Sequence, residues 1–447
     1  MKLCIMGTGY VGLVTGTCFA NLGNEVVCVS GDENKINLLK QGKVPIYEPD
    51  LDELIEKNVK ENRLFFDTDS EKSIQKSEII FICKGTPSQP NGQVNLKYVE
   101  DAAIEIGRAI NDYKIVVNKS TVPIGSGDWV SMIINDEQVK LNKKVPFDVV
   151  SCPEFLREGS AIYDVFFTDR IVIGSSSKNA IETMKKLYEP IINQTFETDL
   201  NPRPKTKVPL VVTDLTSAEM IKYAANSFLA TKISFINEIA SICEKVGADV
   251  TKVADGIGLD KRIGREFLNA GLGWGGSCFP KDLSAISQIA AEYGLSTQII
   301  NAVVQANKQQ RSNIIKKAQE LLKILKGKTI GVLGISFKPD TDDTRYAPAI
   351  TIINNLIKLG ARVKVYDPIV KDRPEDLSEK SIFCKDSYEV AENSHLLILA
   401  TEWDEFIKLD FEKIKGSMSN SLIIDGRNVL DKEVLTNMGF TYIGIGR

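Results

Sequence analysis

The sequence predicts an α/β protein: two doubly wound parallel sheets flanking a central all-helical segment with a long spine helix. Three observations carry this. In the first half, short β-rich apolar runs (KLCIM, NEVVCV, SEIIFIC, YKIVVNKS, FDVVSC and RIVIG) alternate with amphipathic helical stretches and are bounded by turn residues. From Asp214 to Val246 there is no proline or glycine, and Leu215, Met220, Ile221, Ala224, Phe228, Leu229, Ile233, Ile236, Ile239 and Ile242 recur at helical spacing. From TIGVLGISF onward the alternation resumes with APAITIINNLIKLG, ARVKVYDP, HLLILAT and SLIIDGR.

A chain of 447 residues exceeds one core, and roughly 100–200 residues per domain leads us to expect three. Residues 1–204 form the first, 205–325 the helical middle and 326–447 the third. The prolines and charges of DLNPRPKTKVP mark the first boundary. At about 1.5 Å per residue the spine helix is roughly 50 Å long, suited to a domain axis or a dimer contact. A second helical stretch, 283–325, is interrupted near Gly294.

Apolar residues make up 43% and charged residues 26%, with a net charge of −4 and both signs interspersed. That balance gives no basic face for nucleic acid or an anionic membrane. The eight cysteines have no C-x-x-C or other metal-ligand spacing, so reduced thiols in the cytoplasm and no metal site are expected. MKLCIMGTGYVG enters a glycine turn too early for a secretory signal, and no apolar run reaches the roughly 18 residues of a membrane span.

In IMGTGYVGLVTGTCFANLGNEVVCVS, Gly7, Gly9 and Gly12 follow a strand and open a helix, with Tyr10 and Val11 between them. Gly7 permits the tight turn, Gly9 lets a pyrophosphate approach the backbone and Gly12 allows close helix–strand packing, which together predict a dinucleotide cofactor. The second strand should end in an acid that accepts from the ribose 2′-hydroxyl and selects NAD. It ends in Ser30-Gly31, with Asp32 two residues on, Lys35 on the next helix and Lys84 at the end of a later strand. NAD is expected through Asp32, and NADP is the alternative, since small residues and two lysines suit a 2′-phosphate.

Cys278 lies in GLGWGGSCFPKD, far from the only histidine, His395, which reads as a strand-start residue. Gly273, Gly275 and Gly276 leave backbone without side chains where a nucleophile would meet a bulky ligand. Lys281 and Asp282 follow one turn later if a helix begins at Phe279, where the lysine favours thiolate. The alternative is a packed thiol. Lys222 and Asn226 are four apart on the spine helix and could stabilise an oxyanion, or be a solvated lysine and amide. Glu154 and Glu158, in CPEFLREGSA, and Thr121, in KSTVP, follow strands at the edge where open sheets bind ligands. Acid–base work falls to carboxylates, lysine and water.

GTGYVG, PIYEPDLDEL, KSTVP, PEFLREGSA, KYAANSFLA, RIGREFLNAGLGWGGSCFPKD, FKPDTDDTR, VYDP and DGRN stand in the order and spacing of the UDP-glucose/GDP-mannose dehydrogenase family. The resemblance covers nearly the whole chain, and RIGREFLNAG is closer to the members acting on UDP-glucose. It implies oxidation of a sugar C6 alcohol to the acid with two dinucleotides, through a thiohemiacetal and a thioester on Cys278. Lys222 and Asn226 would stabilise oxyanions; Asp282 and a water held with Thr121 would manage protons; Glu154 would activate the hydrolytic water, with Glu158 assisting near the cofactor.

The resemblance places the cofactor against Tyr10, Val11, Thr86, Thr121, Glu158, Lys281 and Arg345. It places the sugar nucleotide, UDP-glucose, against Glu154, Phe155, Leu156, Lys222, Asn226, Phe267, Leu268, Gly273, Gly275, Phe337 and Lys338, and also Arg262, reaching across a homodimer formed by the spine helix. For Arg262 the alternative is a surface arginine. Ser30, Lys84, Cys152 and Tyr346 stand where the family usually has aspartate, a small apolar residue, asparagine and glutamate; the first two bear on cofactor choice. A 6-dehydrogenase for GDP-mannose or UDP-N-acetylmannosamine is the alternative within enzymes. A non-catalytic nucleotide-sugar or redox sensor is the alternative outside them, and the joint presence of Cys278, Lys222, Asn226 and Asp282 argues against it.

Overall fold

A computed structural model of the chain describes residues 1–89, 92–204 and 206–447. Lys205, which opens the expected middle domain, lies outside the described residues. The chain divides into two compact units, Met1–Ala224 and Ala225–Arg447.

The first unit is built on an eight-stranded sheet of β1 (Lys2–Met6), β2 (Glu25–Val29), β3 (Leu64–Asp67), β4 (Ile79–Ile82), β5 (Lys114–Asn118), β6 (Phe147–Ser151), β7 (Ile171–Gly174) and β8 (Leu210–Thr213). Their order is β3-β2-β1-β4-β5-β6-β7-β8. The first six strands in space are parallel, and the sequence order reverses beside β1, the position where doubly wound sheets hold a nucleotide. Strand alternation sends Leu3 and Ile5 to one core and Cys4 and Met6 to the other, so both faces are covered.

The expected sheet is wholly parallel, but β7 meets β6 antiparallel through the single pair Ser151–Gly174. A Cβ on Gly174 would lie 2.5 Å from the Asp214 carbonyl oxygen, so the strand is packed too closely there for a side chain. Strand β8, LVVT, pairs only with β7 and is half-exposed, which is why so short a run escapes periodicity. It carries the sheet beyond residue 204.

The helix Leu215–Val246 begins in the first unit and ends in the second. At about 1.5 Å per residue its 32 residues span roughly 48 Å. In the second unit, helices Val250–Gly258, Phe279–Glu292 and Gln298–Leu322 precede a six-stranded sheet. The break between the last two falls at Gly294, whose φ of +71° suits glycine. The sheet contains β9 (Thr329–Leu333), β10 (Arg362–Tyr366), β11 (Ile382–Phe383), β12 (Leu396–Leu399), β13 (Leu422–Asp425) and β14 (Thr441–Ile443). Its order, β11-β10-β9-β12-β13-β14, repeats the doubly wound pattern with every pair parallel. Leu396 and Ile398 face one core, and Leu397 and Leu399 the other. No helix among the described residues is long and apolar enough to cross a membrane.

Candidate active site

The glycine turn after β1 separates packing from access. A Cβ at Gly7, whose φ is +131°, would fall 2.3 Å from the Cys83 carbonyl oxygen, and one at Gly12 would fall 2.1 Å from that of Gly7. Gly9 has no heavy atom within 4 Å of the equivalent position. It begins the helix Tyr10–Asn21 without a side-chain cap, so the first helical N–H groups face open space. Open backbone at a helix N-terminus, braced from behind, fits a pyrophosphate. Tyr10 accepts the Gly159 N–H at 2.8 Å, and Val11 is half-buried.

Past β2, the Ser30 hydroxyl accepts the Asp32 N–H at 3.3 Å, while the Asp32 carboxylate accepts the Lys35 N–H at 3.0 Å and caps the helix Glu33–Lys40. The loops after β4 and β5 are tied together: Thr86 donates to the Thr121 carbonyl at 2.9 Å and Ser120 to that of Lys84 at 2.7 Å. A cleft at the carboxyl edge is lined by Asn118, Thr121, Ser151, Glu219 and Lys222, among others.

Glu154 and Lys222 meet in the first unit at 3.0 Å, both buried. Burial pushes the Glu154 carboxyl up, but the Lys222 ammonium, the Leu156 N–H at 2.6 Å and Lys119 outweigh it and hold the group below the usual carboxylate range. Glu154 is therefore an ionised carboxylate at neutral pH. Phe155 lies under the Arg170 guanidinium, 3.6 Å from ring centroid, with Lys222 at 5.3 Å. Leu156 and Glu158 are half-buried on the same loop.

In the second unit Cys278 is the N-cap residue of the helix Phe279–Glu292 and is the one exposed thiol among eight free cysteines. The helix start at Phe279 brings Asp282 one turn on, where its N–H donates to the Cys278 carbonyl. Asp282 is wholly buried; it accepts the Asn226 amide at 2.6 Å and lies 3.1 Å from the Lys281 ammonium. Lys222 and Asn226 are one turn apart on the continuous helix.

The glycines before Cys278 are packed closely against protein. Cβ atoms at Gly273, Gly275 and Gly276 would meet Asn307 Oδ1 at 2.3 Å, the Tyr346 carbonyl oxygen at 2.5 Å and the Phe337 ring at 2.9 Å. They let the loop pack tightly within its own unit. Phe267 holds a left-handed φ of +64° and Leu268 is buried. Lys338 Nζ sits 5.8 Å from the Phe337 ring, and Arg345 and Arg262 form ion pairs with Asp343 and Asp260.

Sequence reading passed over two buried carboxylates. Glu219 accepts the Gly125 and Gly127 N–H groups at 2.7 and 2.8 Å and the Ser151 hydroxyl at 3.0 Å, fixing the loop after Thr121 one turn from Lys222. Burial pushes its carboxyl up against those hydrogen bonds. Glu48, in PIYEPDLDEL, accepts the Gly159 and Ala161 N–H groups, both at 2.6 Å, and anchors the loop that carries Glu154 and Glu158. An acid within a helical apolar stripe was the available signal for Glu219; for Glu48 it was the PIYEPDLDEL motif, which marks the segment but not the role.

The reversed strand order, the glycine turn and the second nucleotide-type sheet define a protein of the Rossmann-type, dinucleotide-binding class. Three domains of the UDP-glucose/GDP-mannose dehydrogenase family match in order: the NAD binding domain over residues 1–192, the central domain over 216–309 and the UDP binding domain over 331–432. The chain is 49% identical over its whole length to the UDP-glucose 6-dehydrogenase TuaD of Bacillus subtilis, covering 93% of that protein. It is 44% identical to a UDP-glucose 6-dehydrogenase of Rhizobium meliloti, with full coverage of both chains. A UDP-glucose dehydrogenase structure from Pyrobaculum islandicum superposes with a TM-score of 0.88 at 35% identity, over 99% of this chain and 97% of that one. The chain belongs to the UDP-glucose/GDP-mannose dehydrogenase family.

Proposed function

We propose that the chain oxidises C6 of UDP-glucose to the carboxylate of UDP-glucuronate, removing four electrons in two steps. The observation that carries this is Cys278: the single exposed thiol stands at a helix N-terminus, with buried Asn226 and Asp282 and half-buried Lys281 linked beside it. A dinucleotide held at the glycine turn of Gly7, Gly9 and Gly12 would supply the hydride acceptor for each oxidation, one after the other. Thr121, with a water, and Asp282 take the proton of the C6 hydroxyl as the aldehyde forms. The Cys278 thiolate adds to the aldehyde carbon, and Lys222 and Asn226 stabilise the alkoxide of the thiohemiacetal. The second oxidation leaves a thioester. Glu154, ionised and held by Lys222, takes a proton from the water that attacks it, and the thiolate departs from the acid.

Residues 1–204 hold the dinucleotide in this reading, 205–325 present the thiol and 326–447 hold the uridine diphosphate. Tyr10, Val11, Thr86, Glu158, Lys281 and Arg345 belong to cofactor binding, and Phe155, Leu156, Phe267, Leu268, Phe337 and Lys338 to the sugar nucleotide. A homodimer through the long helix is supported by Phe228, Phe235 and Ile242, exposed at seven-residue intervals. Arg262, on an exposed loop, would cross that interface. Free thiols suit a reducing cytoplasm.

The test is the yield of reduced cofactor per sugar, with UDP-glucose, GDP-mannose and UDP-N-acetylmannosamine compared. Two reduced cofactors per UDP-glucose are expected; one, or faster turnover of either other sugar, rejects the reading. NAD is the cofactor of the family's first domain, and NADP is proposed beside it because Ser30 replaces the usual acid.

A further inference from the structure

We infer that the ends of β2 and β4 form a subsite for the 2′-phosphate of NADP, with Ser30, Lys35 and Lys84 as its polar groups. This rests on the dinucleotide reading above and deepens it. Met6, the last residue of β1, pairs with Val29 on one side and Ile82 on the other. Ser30 and Lys84 therefore stand one and two residues beyond those partners, on the edge where the glycine turn receives the cofactor.

An NAD-selective site of this fold places a carboxylate at the end of the second strand to accept from the ribose 2′-hydroxyl, and that carboxylate would repel a phosphate. Ser30 removes it. The neighbouring acids are committed elsewhere. Asp32 caps its helix, and Asp67, at the end of β3, accepts the Thr68 and Asp69 N–H groups at 2.8 and 3.2 Å. Asp69 caps the helix Ser70–Lys76, and Glu33 is exposed.

The cations are not so committed. Lys35 and Lys84 are both half-buried, and among the described residues neither ammonium has a carboxylate within ion-pair reach. Burial lowers the Lys35 ammonium from its ordinary value, with Asp32 acting the other way, so an anion there would relieve a desolvated charge. Room exists as well: Cβ positions at Gly31 and Gly85 meet no heavy atom within 4 Å. A dianion with three acceptor oxygens suits a hydroxyl and two ammonium groups better than a ribose hydroxyl does.

The decisive measurement is calorimetric binding of adenosine 2′,5′-bisphosphate and 5′-AMP to the full chain. The bisphosphate should bind at least about tenfold more tightly, and Lys84→Val and Ser30→Asp should each remove that advantage. A smaller advantage, or one that survives both substitutions, overturns the subsite. In turnover, Ser30→Asp should shift the NADP to NAD ratio of kcat/KM towards NAD by at least about 30-fold. An unchanged ratio, or a wild-type preference for NAD above about a thousandfold, also overturns it. If no sugar nucleotide is oxidised with either cofactor, the proposed function fails, while the binding comparison still decides the subsite.

Discussion

The Lys222 ammonium lies 3.0 Å from Glu154 Oε1, and neither side chain is more than 7% exposed. A buried pair of this kind is costly to break from one side, because the remaining charge has no water to turn to. Lys222→Met should destabilise the protein by about 3–5 kcal/mol in urea unfolding, and Lys222→Met with Glu154→Gln should recover most of the loss.

That substitution also has a pH signature. In the wild type the Glu154 carboxyl is held below its unfolded value, so its contribution is present above the unfolded value, about 4.3, and is lost as pH falls through the folded one. Without Lys222, burial dominates and the carboxyl shifts up. Its contribution is then present below the unfolded value and lost as pH rises through the folded one. The stability gap between wild type and Lys222→Met should narrow as pH is lowered from 7 towards 4, and a constant gap would show that Lys222 does not set the charge of Glu154.

Asp282 is wholly buried against Asn226 and Lys281. Asp282→Asn keeps the side-chain volume but faces the Asn226 amide with another amide and removes the proton acceptor. Turnover should fall by about 10²–10⁴-fold, the range of a lost general base, with dinucleotide affinity retained. Asn226→Ala leaves the carboxylate in place and should cost less in rate than Asp282→Asn. Saturating-substrate kinetics with a thermal melt for each variant separates lost chemistry from lost folding.

The parts that were legible in the sequence are those that obey local rules. Gly7, Gly9 and Gly12 declare their turn through a fixed spacing, and the spine helix through period and the absence of breakers; its observed bounds, Leu215–Val246, differ from expectation by one residue. What periodicity could not reveal depends on partners distant in sequence. Strand LVVT exists because β7 offers it an edge, and β7 itself turns antiparallel at a glycine packed against Asp214. The carboxylates of Glu48 and Glu219 act on loops roughly a hundred residues away, so a motif or an apolar stripe can mark the residue but not the backbone N–H groups it holds. The packing of Gly273, Gly275 and Gly276 is of the same kind: their neighbours, Asn307, Tyr346 and Phe337, lie far along the chain, so the contacts that leave no room for a Cβ are visible only in space.

Cysteine exposure predicts a selective reaction. Six thiols are buried, Cys384 is half-buried, and burial with Glu389 beside it pushes the Cys384 thiol up to about 11, so it stays protonated at pH 8. Iodoacetamide at pH 8 should therefore alkylate Cys278 first, one label per chain by mass spectrometry, with loss of acid formation in proportion. Cys278→Ser should resist rapid labelling, make no acid and still bind the dinucleotide. Rapid labelling of any other cysteine, or acid production by the serine variant, contradicts the covalent scheme.

Gly9 and Gly12 give the sharpest separation of folding from binding, because the same added methyl group meets empty space at one and backbone at the other. At Gly12 it would lie 2.1 Å from the Gly7 carbonyl oxygen, so helix and strand must move apart and Gly12→Ala should lower stability, by about 1–3 kcal/mol as an overpacked site. At Gly9 it touches no protein atom within 4 Å, so Gly9→Ala should melt within a degree or two of wild type. Yet that methyl occupies the approach to the first helical N–H groups, and dinucleotide affinity should fall by at least about tenfold. Differential scanning calorimetry and cofactor titration on the two variants read the two effects independently. If Gly9→Ala bound the dinucleotide as tightly as wild type, the pyrophosphate would have to be held elsewhere on the sheet edge.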